Sequence, residues 1–253
     1  MPHEILFRRN AVRECLLAGR RVIYRLTISD ELDRTAAADI LAEARRRKIP
    51  IEEVDKKALN AATHGEPHQG VLLEVGPYPY VDLDDLSDLA AERAEPPLLV
   101  LLDLVQDPRN VGALLRTAEA MGVHGIVIQE RRGCEITPTV VTTSAGAAEH
   151  LRVAQVTNLV DAMGRLKRRD VWLFGLELGP AAEPLDQVDL DLPLGLVIGN
   201  EGEGLRRLVR DRCDRLLKLP MHGHVQSLNA AVAGSLALYA ARTARNKAPD
   251  QGR

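Results

Sequence analysis

Apolar positions change period several times along the chain, and each change marks an element. Residues 10–18 set Val12, Leu16 and Leu17 at helical spacing, and residues 21–28 alternate as a strand does. Residues 31–48 carry a long amphipathic pattern that predicts a helix ending before Ile49-Pro50, because the residue preceding a proline disfavours helix. Residues 70–75 read as a buried strand, which completes a small α/β sandwich.

From residue 98 the pattern is strand, loop, helix, repeated. Strands are predicted at 98–104, 125–128, 171–176, 194–198 and 216–219, with helices at 111–121, 205–212 and 228–242. Strands that are apolar throughout and separated by helices belong to a parallel sheet covered on both faces. The fold class is therefore α/β, with a small N-terminal α/β domain and a larger C-terminal domain built on a parallel sheet. Between them, residues 81–97 end in Glu95-Pro96-Pro97, which bars helix and favours an extended connector. The expected division is a domain at 1–80, an acidic linker at 81–97 and a second domain at 98–253; an ordinary surface loop within one domain is the alternative.

Composition narrows this further. A chain of 253 residues with 45% apolar content has room for two modest cores. No apolar run approaches the roughly 20 residues of a membrane span, and residues 1–10 have neither a signal core nor a transit-peptide composition, so a cytoplasmic protein is expected. Cys15, Cys134 and Cys213 are far apart and show no CxxC spacing, which suggests neither disulfides nor a zinc site. The net charge of −3 argues against a nucleic-acid partner until its location is read. Residues 81–97 hold six acids and one base, while each flanking block carries one more base than acid. Local basic patches are thus left free to meet phosphate. Arg20, Arg21 and Arg25, then Arg45, Arg46, Arg47 and Lys48, are candidates for such a face; the second cluster reads equally well as a solvated helix terminus.

Three loops follow three of the second block's strands, where an open α/β sheet places its ligand crevice. The first is Asp107-Pro108-Arg109-Asn110-Val111-Gly112, leading into a helix whose Arg116 can lean back toward the loop. Taken alone, Asn110 reads more readily as a helix N-cap than as a catalytic group. The second loop is Gly199-Asn200-Glu201-Gly202-Glu203-Gly204; its glycines permit close backbone approach, but it lacks the G-x-G-x-x-G order of a dinucleotide site. The third runs from Leu219 to Asn229, with Ser227 placed as the N-cap of a helix whose early face is small: Ala230, Ala231, Ala233, Gly234 and Ala237. Such a face suits close packing, against another chain or within a tight topology. His222 and His224 lie in this loop with no third ligand nearby, so no metal site is expected.

Together and in this order, the loops resemble the three motifs of the SpoU family of methyltransferases. The likeness rests on Asn110 and Arg116, on Gly199, Glu201 and Gly204, and on Pro220, Met221, Gly223, Ser227, Leu228 and Asn229, with Thr143-Ser144-Ala145-Gly146-Ala147 as a further family-like loop. The first block, ending His68-Gln69-Gly70-Val71, is similar to the ribosomal-protein-like substrate-binding domain of the RlmB branch. Gln226 stands where many members carry Glu. The resemblance implies a SPOUT domain with a trefoil knot and S-adenosylmethionine as methyl donor. It also implies a homodimer and an RNA substrate, taken as a guanosine of 23S rRNA. It assigns catalysis to Asn110, Arg116, Glu201, Ser227 and Asn229. Donor binding falls to Thr143, Ser144, Gly146, Ile198, Gly199, Gly204, Leu219, Met221, Val225, Ser227 and Leu228. Two other readings stay open: a methyltransferase acting on tRNA or at a resistance site of rRNA, and a non-catalytic RNA-binding assembly factor.

Overall fold

The computed structural model describes residues 3–200, 202–224 and 227–247, which fall into two compact units. The first gathers the chain up to Pro79 together with Ile136–His150. It begins with β1 (Glu4–Phe7), α1 (Arg9–Ala18), β2 (Ile23–Ser29), α2 (Ala38–Arg46), β3 (Ile51–Val54), α3 (Lys56–Ala62) and β4 (Val71–Val75). The strands order β1-β4-β2-β3, antiparallel except for the β2/β3 pair. Alternation along β2 and β4 buries Leu26, Ile28, Val71 and Leu73, while the apolar stripes of α1 and α2 bury Val12, Leu16, Ile40 and Leu41.

The second unit holds α4 (Leu83–Glu92), β5 (Leu98–Asp103), α5 (Pro108–Ala120) and β6 (Gly125–Gln129). The chain then gives α6 (Pro138–Thr143) to the first unit, and returns with β7 (Val153–Val156), α7 (Leu159–Lys167), β8 (Trp172–Leu176), β9 (Glu183–Pro184), β10 (Leu194–Gly199), α8 (Arg207–Arg210), β11 (Arg215–Lys218) and α9 (Ala230–Lys247). Its seven strands order β7-β6-β5-β10-β8-β11-β9, and every pair is parallel. The expected parallel sheet is thus present, and its central strands β5 and β10 are buried at every position.

Several elements differ from the expectation. The helix expected from residue 31 starts only at Ala38, because Asp33 Oδ1 accepts from Thr35 N and Ala36 N and holds a turn there. The acidic segment expected as an extended linker is mostly the helix α4. Asp85 accepts from Asp82 N at 3.1 Å at its start, and Leu83 and Leu86 enter the second unit's core. The strand β7 and helix α7 were not expected, although Asn158 as a cap and Leu159, Ala162, Met163 and Leu166 at helical spacing carried the signal for α7.

The first arginine cluster is not a free phosphate face. Arg21 is buried between Glu4 and Glu149, at 2.6 and 3.0 Å, and Arg25 pairs with Glu52 and Glu74. Arg20 donates to Tyr78 Oη and to the carbonyls of Pro79 and Glu149. In the second cluster, Arg46 and Arg47 both pair with Glu43.

Candidate active site

Parallel strands end with their carboxyl termini on one edge, and the loops that leave β8, β10 and β11 there enclose a cleft of about 380 Å³. That lies within the roughly 300–1,000 Å³ usual for small-molecule sites. Its walls are apolar (Leu176, Ile198, Leu217, Leu219, Met221, Leu228), and Glu177, Glu203, Lys218 and Ser227 add polar groups.

The Gly-rich loop is shaped by its own backbone. Asn200 Oδ1 accepts from Gly202 N and Glu203 N, and Gly204 N donates to Asn200 O at 3.1 Å. Gly204 has φ +67°, and a Cβ on Gly199 would overlap the backbone carbonyl of Gly204. Both positions therefore demand glycine. The loop is anchored from outside by Asp103, fully buried at the end of β5, which accepts from Arg206 N at 2.8 Å and Nε at 2.7 Å. Arg206 Nη2 donates in turn to Gln129 Oε1 at the end of β6. Neither Asp103 nor Arg206 was singled out from the sequence, nor were Glu177 and Lys218. A strand-end acid among apolar residues was the available signal for Asp103.

The third motif is joined to the first. Asn229, not Ser227, caps α9: its Oδ1 accepts from Ala231 N at 2.9 Å and Val232 N at 3.3 Å. Its Nδ2 donates to Asn110 Oδ1 at 2.9 Å. Asn110 itself lies inside α5, whose N-cap is Asp107. Arg116, two turns into α5, is exposed, and among the described residues it has no hydrogen-bond or ion-pair partner. The small face of α9 is used within the chain: Ala230, Ala231 and Ala237 are buried, and a Cβ on Gly234 would meet Ile198 at 2.6 Å and Leu114 at 2.8 Å.

Of the expected donor residues, Ile198, Gly199, Gly204, Leu219, Met221, Ser227 and Leu228 line the cleft. Thr143, Ser144 and Gly146 belong to the first unit and do not line it. There Ser144 is buried with its hydroxyl on Val141 O, and Gly146, at φ +89°, admits the close approach of Glu14 and Asn10 of α1. Glu201, Val225 and Gln226 lie outside the described residues. Burial pushes the thiols of Cys134 and Cys213 up to about 11 and about 12, and raises Cys15 as well, so none is a nucleophile near neutral pH.

Comparison with known proteins agrees with this geometry. The SpoU rRNA methylase family model matches residues 97–239, and the model for RNA 2'-O ribose methyltransferase substrate binding matches residues 5–81. The chain is 42% identical over 244 residues to YacO of Bacillus subtilis, a protein placed in the TrmH family of tRNA/rRNA methyltransferases, covering 96% of this chain and 97% of that one. A TrmH family protein of Staphylococcus haemolyticus is 38% identical over 250 residues, covering 99% of each. Among solved structures, the SpoU methyltransferase AviRb of Streptomyces viridochromogenes, crystallised with AdoMet, superposes with a TM-score of 0.80 at 25% identity, covering 97% of this chain and 91% of that one. With both blocks matched and a near full-length relative well above 30% identity, this chain belongs to the SpoU rRNA methylase family.

Proposed function

We propose that this protein transfers a methyl group from S-adenosylmethionine to a ribose 2'-hydroxyl of structured RNA, a guanosine of 23S rRNA, as the RlmB-like character of the first block suggests. One observation carries the reading: the Asn229 Nδ2 to Asn110 Oδ1 bond ties the segment that walls the cleft to the helix bearing Arg116. A donor site and a substrate-facing charge are thereby held in one rigid piece.

The cleft suits the donor. Apolar walls accept the adenine, backbone groups around Gly199, Leu219 and Leu228 can read its edge, and Glu177 and Glu203 supply negative charge compatible with a cationic ligand. When bound, S-adenosylmethionine supplies an already activated methyl group, so the protein's task is orientation. A guanidinium with pKa above about 12 is a poor base, so Arg116 acts as a fixed charge on the phosphate beside the target ribose. Asn110, Ser227 and Asn229 hold the hydroxyl in line, Glu201 is assigned to the same task, and the proton leaves to phosphate or water.

The remaining parts of the reading are a homodimer, a trefoil knot and a cytoplasmic setting. The homodimer is supported by Val232, Leu236 and Tyr239, an exposed apolar row at helical spacing along α9. The knot is supported by a chain order in which β10 enters between β5 and β8, after which α9 returns to pack on α5 and β10. No described helix is long and apolar enough to cross a membrane.

The test is methyl transfer from labelled donor to total RNA of cells lacking the protein, with the 2'-O-methyl position mapped. Arg116→Ala should lose about 30-fold to 1,000-fold in single-turnover rate, the scale of one charge-assisted contact made in the transition state, with donor affinity unchanged. Arg116→Lys should keep part of the rate. Donor binding without transfer to any RNA would favour the assembly-factor reading, and a mapped site in tRNA would replace the 23S assignment.

A further inference from the structure

The loops that follow β5 and β6 leave the sheet on the same edge as the cleft, and β5 is the neighbour of β10. They are tied to each other: Gln106 Nε2 donates to Arg132 O at 3.0 Å, and Cys134 N donates to Val105 O at 3.2 Å. At their base, Arg206 bridges Asp103 and Gln129. Both loops hold strained backbone. Leu104 has φ +55° and Arg132 φ +61°, a region in which side chains other than glycine cost energy, and a Cβ on Gly133 would lie 2.5 Å from Gln129 O. A fold that holds a leucine and an arginine in this state on adjacent loops is fixing what those loops present.

What they present is three guanidinium groups that form no ion pair among the described residues. Arg109, Arg131 and Arg132 are exposed, and among the described residues none of their guanidinium groups has a carboxylate within 4 Å. Elsewhere in the unit Arg152, Arg165, Arg169, Arg207 and Arg215 pair with carboxylates, whereas Arg116, Arg168 and Arg212 stand apart from these loops without such a partner among the described residues. The acids nearest in sequence are largely occupied. Asp107 Oδ1 accepts from Arg109 N, and Glu130 Oε2 accepts from Thr157 Oγ1; both carboxylates, like that of Glu135, are exposed, but none lies within 4 Å of the three guanidinium groups. Three planar, permanently charged forks on a rigid mount match the sugar-phosphate backbone of a nucleic acid.

We propose that these paired loops form a phosphate-binding rim, in which Arg109, Arg131 and Arg132 hold the backbone of the substrate RNA next to the donor cleft. The inference rests on the proposed RNA methyltransferase function and names the surface of the second unit that engages the substrate. The rim fixes position without reading sequence.

The test is binding of a mixed-sequence, single-stranded 20-nucleotide RNA to the full chain, measured against salt. Each phosphate contact on a single strand contributes about 0.7 to the slope of log affinity against log salt. The triple variant Arg109→Ala, Arg131→Ala, Arg132→Ala should flatten the slope by about 2 and bind about 100-fold more weakly near 0.1 M salt, with S-adenosylmethionine affinity by calorimetry unchanged. The corresponding triple Lys variant should restore the slope. Arg168→Ala with Arg212→Ala is the control; it removes two charges without a carboxylate partner among the described residues from the opposite edge, before β8 and β11, and should change little. An unchanged slope in the triple Ala variant, or an equal loss in the control, overturns the rim while leaving the methyltransferase reading intact. A wild-type protein that binds no RNA and methylates none overturns both.

Discussion

Asn229 caps α9 with its oxygen and reaches Asn110 with its nitrogen, so two substitutions can separate the roles. Asn229→Ser keeps an N-cap oxygen but is too short to reach Asn110, whereas Asn229→Ala loses both. The cap is worth about 1 kcal/mol, with a range of about 0.5–2. The neutral amide-to-amide bond, between an exposed and a half-buried residue, contributes at most about 1 kcal/mol because water can replace it. Urea denaturation should therefore place the Ser variant within about 1 kcal/mol of wild type and the Ala variant about 0.5–2 kcal/mol below the Ser variant. Catalysis should order differently. If the bond fixes Arg116's helix against the cleft, both variants should lose about 10-fold to 100-fold in single-turnover transfer at saturating donor, since misplacement by about 1 Å costs on this scale. Donor affinity should hold in the Ser variant. A Ser variant that transfers methyl at the wild-type rate refutes the positioning argument, and one that fails only in donor binding makes Asn229 part of the cleft wall instead.

Other consequences are equally direct. Gly199→Ala places a Cβ into the Gly204 carbonyl and should cut donor affinity by at least about tenfold while circular dichroism stays unchanged; normal affinity would show that the loop can re-form around a side chain. His124 is buried and accepts from Leu98 N through Nδ1, and burial lowers its pKa from 6.5 to about 4. A depressed folded pKa means stability present above pH 6.5 that is lost as pH falls toward 4, at most about 3 kcal/mol here. Denaturation midpoints of wild type and His124→Gln should converge over that window, and parallel curves would remove the histidine from the account. Leu236→Glu, on the exposed row of α9, should give a monomer by sedimentation at micromolar concentration if that row is the dimer seam, and an unchanged dimer would move the seam elsewhere.

What was legible in the sequence was whatever depends on neighbours a few residues apart. The apolar runs at 98–102, 125–128, 173–175 and 194–199 announce buried parallel strands because each is continuous, and a strand buried on both faces has no polar side to alternate with. The motif loops were equally local, since their glycines, Asn110 and Asn229 sit at fixed offsets from strand ends and helix starts. Periodicity gives a face but not its partner, and there the tertiary structure decided. It turned the small face of α9 inward onto Ile198 and Leu114 and left Val232, Leu236 and Tyr239 outside. It made Asn229 the cap in place of Ser227, because the helix begins only at Ala230. It gathered Ile136–His150 into the first unit and buried Glu149 against Arg21, neutralising an arginine that the linear charge pattern had left free for phosphate. It also brought Asp103 to Arg206 across about a hundred residues of chain. Such pairings depend on which distant segments the assembled sheet sets side by side, and the information for that lies in the simultaneous packing of all the strands rather than in any one of them.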